Sequence, residues 1–149
     1  MINLDILKYY PSIVSGNPQH FFIISENKTS LANNILEISK KEFSMVTAHI
    51  NCSSVNTIDE LIIQIIEELL NSINSKKIFD YLQEDIEIVG DDLNIKFKPS
   101  DSQLKYIKDN LEFYLNDLVN IFKKAIFIVI EDIDSLTDIW SLLVGIKVL

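Results

Sequence analysis

The chain has 149 residues with 13 basic and 22 acidic side chains, a formal net charge of −9, and every basic residue is a lysine. At 48% apolar and 23% charged it has the composition of one globular domain, which excludes a disordered chain. No apolar run approaches the ~20 residues of a membrane helix, and an acidic chain without arginine disfavours nucleic acid as a partner.

Residues 1–18 read as an N-terminal arm. Turn signals stand at Pro11 and at Gly16-Asn17-Pro18, and Asp5 to Tyr10 form a short helix or part of that arm. The run His20 to Ser25, HFFIIS, has the aromatic and β-branched character of a strand buried on both faces. From Lys28 to Lys41 the apolar spacing turns helical, with Leu31, Ile35 and Ile38 on one face. Ser44 to Asn51 predicts a second strand.

Thr57-x-x-Glu60 is a capping box, and it opens a wide apolar stripe of Ile58, Leu61, Ile62, Ile65, Ile66, Leu69, Leu70 and Ile73. Glu67 and Glu68 are placed on the wet face of that helix. Residues 86–98 predict a hairpin insert, IEIV and LNIKF around Gly90-Asp91-Asp92, closed by Pro99. Ser100-x-x-Gln103 then caps one long helix whose apolar face is Leu104, Ile107, Leu111, Leu115, Leu118 and Phe122. Ala125 to Ile130 is a fully apolar strand running into Glu131-Asp132-Ile133-Asp134, and Ser135 opens a last short helix. Strands alternating with helices predict a parallel sheet covered on both faces, in which ligands sit beyond the carboxyl ends of the strands.

Two strand ends carry chemistry. In IISENKTSL, Ile23 to Leu31, a strand meets a polar loop and then Lys28-Thr29 at a helix start. A G-x-x-x-x-G-K-[ST] loop stands at such a place, its amides cradling phosphate, its lysine reaching the terminal phosphates and its hydroxyl holding magnesium. Lys28 and Thr29 match its last two positions, whereas Asn27 and Phe22 stand where glycines belong. The other reading of this segment is a plain helix start with Ser25 or Asn27 as cap. In AIFIVIEDIDSL, Ala125 to Leu136, an apolar strand ends in two acids. That is the form of a Walker B strand, one acid supporting magnesium and the next polarising water. The alternative is a buried strand that ends in solvated acids, Asp134 or Ser135 capping the helix that follows.

In this order and about a hundred residues apart, the two motifs resemble the STAND-type P-loop ATPases of the wider AAA-like group, in their archaeal and bacterial form. The resemblance covers about residues 16–137. It implies a three-layer α-β-α P-loop NTPase-like parallel sheet with a small β-hairpin insert, a single partial domain over 1–149, and ATP and magnesium as cofactors. By resemblance, the nucleotide is held by Ser25, Glu26, Asn27, Lys28, Thr29 and Ser30. Magnesium is held by Thr29 and Glu131, and Asp132 is the catalytic acid that activates water. The chain departs from the family in its missing loop glycines and in a glutamate at the first acid. It departs also in having no arginine for a finger, which another chain would have to supply. The family normally places a further strand with a polar sensor residue between its P-loop and Walker B strands. Only Gly145 to Leu149 is available for it here, and it carries no such residue.

The remaining candidates are plainer. His20 and His49 lack the Cys partners of a zinc site and read as structural histidines. Cys52 cannot form an internal disulfide, and no cationic neighbour in sequence activates it. The N-terminus lacks a secretory signal, so the expectation is a cytoplasmic protein with no membrane partner. Three functions stand side by side: a degenerate ATP-binding domain with weak or absent hydrolysis, a protein-interaction scaffold that has lost the nucleotide, and a fragment whose open sheet self-associates.

Overall fold

The computed structural model describes residues 28–73, 86–89 and 94–132. The predicted strand at 20–25, the arm at 1–18, the Asp91-Asp92 turn and the helix after Ser135 lie outside these residues. Within them the fold is mixed α/β. Helix α1, Lys28–Phe43, carries Lys40 and Lys41 in its last turn, where cations favour the negative end of the helix dipole. It buries Ile35, Leu36 and Ser39. The chain reverses through Ser44 at φ 53°, and the Met45 amide donates back to the Ser39 carbonyl at 3.1 Å. Strand β1, Val46–Asn51, follows directly.

Helix α2, Ile58–Ile73, starts as its capping box requires. The Glu60 amide donates to the Thr57 hydroxyl at 3.2 Å, and the Glu60 carboxylate accepts from the Asn56 amide at 2.9 Å, one residue further out than the Thr57 amide. Its stripe of Leu61, Ile62, Ile65, Ile66, Leu69 and Leu70 is at most 1% exposed and forms the centre of the core. Around it pack Val46, Ala48 and Ile50 from β1.

A hairpin follows, β2 Ile86–Val89 antiparallel to β3 Asn94–Phe97. Its β3 edge is completed by side chains rather than by another strand. Asn71 Oδ1 accepts from the Ile95 amide at 2.9 Å while Asn71 Nδ2 donates to the Ile95 carbonyl at 3.0 Å. Glu67 accepts from the Phe97 amide at 3.1 Å and from Lys96 Nζ at 3.3 Å. Glu67 is therefore not a wet-face residue: its side chain is 24% exposed and tied to the hairpin. Such pairing satisfies edge groups that would otherwise need water or a strand.

The single long helix expected after Ser100 is two, α3 Asp101–Asp109 and α4 Leu111–Phe122. The break is Asn110, at φ −132° and ψ 37°, whose side-chain amide donates to the Tyr106 carbonyl at 3.0 Å. The Asn110 backbone amide donates to the same Tyr106 carbonyl at 3.0 Å, so side chain and backbone together hold the turn between the two helices. The apolar face still runs on, because Ile107, Leu111, Leu115, Leu118 and Phe122 all join the core around α2. Lys123 ends α4 at φ 57°, and strand β4, Ile126–Glu131, completes the described chain as a parallel neighbour of β1.

Candidate site at the carboxyl end of the parallel strands

The register of β1 and β4 decides what meets at their carboxyl ends. Val46 lies opposite Ile126, His49 opposite Val129, and Asn51 opposite Glu131. Alternate residues of a strand share a face, so His49 and Asn51 lie on the same face as Val129 and Glu131. Ala48 and Ile50 are turned the other way, into the core. The sheet thus ends with Asn51 and Cys52 beside Glu131 and Asp132.

His49 and Glu131 meet diagonally across the two strands, with His49 Nε2 2.5 Å from Glu131 Oε2. The glutamate side chain is 7% exposed and the histidine side chain 25%. With the proton on Nε2, the imidazole donates to the carboxylate, the stronger charge-assisted kind of hydrogen bond. Asp132 follows in the left-handed region at φ 54°, a conformation that aspartate tolerates better than most residues. It is exposed, in contrast to Glu131 one residue before it.

On the β1 side the chain turns through a short 3₁₀ segment, Cys52–Ser54. Asn51 holds this turn, its Oδ1 accepting from the Ser53 amide at 2.9 Å. Cys52 is fully buried. Burial pushes its thiol above the ordinary range, and the negative charge of Asp132 pushes it in the same direction. A thiol held protonated in this way is no nucleophile at neutral pH, consistent with the sequence reading of Cys52.

Helix α1 reaches the same end. It packs against both β1 and β4 and is joined to the start of β1 only by Ser44 and Met45, so it runs antiparallel to the strands. Its 16 residues span about 24 Å, and the six of β1 span about 20 Å. The backbone of Lys28, Thr29 and Ser30, its first turn, therefore lies toward the carboxyl end of the sheet. Ser25, Glu26 and Asn27 lie outside the described residues.

Of the predicted site, the described residues include the start of α1, whose direction takes it toward the carboxyl end of the sheet, and the Glu131-Asp132 pair at that end. His49 was read as a structural histidine, and what sequence reasoning missed is its partner, Glu131. The signal of His49 was a lone polar ring in an apolar strand, but that partner lies 82 residues away and is found only through the strand register. Among the described residues, no three His, Cys, Asp or Glu side chains converge as metal ligands, and no helix is long and apolar enough to cross a membrane. Comparison with known proteins gives no match: no family model, no curated protein and no solved structure is similar to this chain.

Proposed function

We propose that the chain is an ATP-binding, P-loop NTPase-like domain of the STAND or AAA type, with a degenerate phosphate loop and weak or absent hydrolysis. The observation that supports it best is the shared polarity of three elements. Two parallel strands end together, one of them in Glu131-Asp132, and the helix opened by Lys28-Thr29-Ser30 starts at that end. A helix N-terminus favours anions through its free amides and dipole. The three-layer sheet belongs to this reading. Ile35 and Leu36 of α1 stand outside the cluster that α2 builds on Val46, Ala48 and Ile50, as they do when two helices cover opposite faces.

In this reading Lys28 contacts phosphate within the loop Ser25 to Ser30, and Asp132 is the acid open to water. Magnesium, where bound, would neutralise phosphate charge. The resemblance gives it to Thr29 and Glu131, and the donor chemistry speaks against Glu131 in that role, since its Oε2 is engaged by an imidazole. An arginine would have to come from another chain.

The second reading, a protein-interaction scaffold, draws on the missing loop glycines and on the exposure of Tyr106 at 50% and Phe113 at 63%. One measurement separates the two. A ligand bound only by the native state raises the melting temperature. Millimolar ATP is expected to raise it, and Lys28→Ala to abolish the rise. An unchanged melting temperature leaves the scaffold reading standing, and light scattering against concentration then tests whether its partner is a second copy.

A further inference from the structure

Glu131 departs from the aspartate usual at its position, and the structure gives that departure a physical use. His49 and Glu131 occupy diagonal positions of a parallel pair, where the strand spacing and a two-residue rise set the Cα atoms roughly 8 Å apart. A histidine and a glutamate together span that gap, as the 2.5 Å contact between Nε2 and Oε2 shows. An aspartate, one methylene shorter, would leave the contact open. The glutamate side chain is also largely closed to water, at 7% exposed, while the histidine is 25% exposed. Magnesium keeps several of its waters and demands near-ideal octahedral oxygen geometry. A largely buried carboxylate with one oxygen already facing an imidazole is a poor match for an ion that keeps its waters and needs set oxygen positions.

We infer that His49 and Glu131 form a cross-strand lock that denies Glu131 to divalent cations, so that magnesium accompanying a nucleotide at this end of the sheet is held without Glu131. The nucleotide part rests on the reading proposed above, and the metal part stands on the His49–Glu131 geometry by itself. Glu131 then acts as a structural acid that joins β1 to β4 at their carboxyl ends. Any magnesium that arrives with ATP stays on the phosphates.

The test uses the full chain and reads the imidazole signals by NMR, those of His49 being identified through a His49→Gln variant. Millimolar magnesium is expected to leave the His49 ring signals in place, and paramagnetic manganese to leave them unbroadened. Glu131→Asp opens the lock and should make the residue 131 amide sensitive to manganese. Manganese broadening of the His49 ring in the unmodified chain overturns the inference. If ATP does not raise the melting temperature, the nucleotide reading falls, and the manganese experiment still decides whether Glu131 is closed to metal. A Glu131→Asp chain that does not fold leaves the measurements on the unmodified chain decisive.

Discussion

Asn71 takes the place of a neighbouring strand for Ile95, serving both its amide and its carbonyl. Asn71→Ala orphans two backbone groups at once, and each is worth on the order of 1–3 kcal/mol when left unmet. The site is only partly buried, so the expected loss is about 2 kcal/mol, read as a lower urea midpoint with an unchanged slope. Asn71→Asp should fall between the two, since a carboxylate still accepts from the Ile95 amide but has nothing to donate to the carbonyl. Cys52 supports a second prediction. Its folded-state pKa is raised, first by burial and then by Asp132. Its contribution is therefore fully present below the ordinary thiol pKa and is lost as pH rises through the higher folded value. Cys52→Ala should flatten the alkaline decline of stability, and iodoacetamide should label Cys52 far faster in urea than in the folded chain at mildly alkaline pH. Rapid labelling of the folded chain would contradict its burial.

Among the elements, α2, β4 and the two hairpin strands were legible because α2 has a strong apolar period and a local cap, β4 is an unbroken apolar run, and the hairpin strands flank turn-forming residues in the sequence. Thr57 and Glu60 act within four residues of Asn56, so a reader of the sequence sees all three. Thr57→Ala should cost about 1 kcal/mol and speed amide exchange in the first turn of α2. The break at Asn110 was not legible, because the apolar spacing passes through it unchanged from Ile107 to Leu111 and Leu115. The turn at Asn110, with φ −132° and its side chain and backbone amide both on the Tyr106 carbonyl, is a matter of local geometry that periodicity does not record. Glu67 was misread for a different reason. Its partner, the Phe97 amide, lies 30 residues away, and two neighbouring glutamates otherwise look like a solvated face. The candidate site divides along the same line. The acids at the end of β4 are local and could be read, whereas the engagement of Glu131 by His49 depends on which strands pair and in what register.

At the scale of the whole molecule the charge of −9 sets a condition on any anionic ligand. The field of the chain repels ATP at long range, and salt screens that repulsion within a Debye length. The apparent affinity for ATP should therefore not fall as sodium chloride is raised from low to physiological strength. A steep fall would indicate a patch of surface lysines as the binding surface, as in proteins that hold phosphates by counterion release. The central claim is that the start of α1 and the end of β4 form one nucleotide site, and amide chemical-shift mapping with ATP tests it most directly. The account predicts that the amides of Lys28, Thr29 and Ser30 and those of Glu131 and Asp132 shift together along one binding curve. Shifts confined to another part of the chain, or none at millimolar ATP, would contradict it.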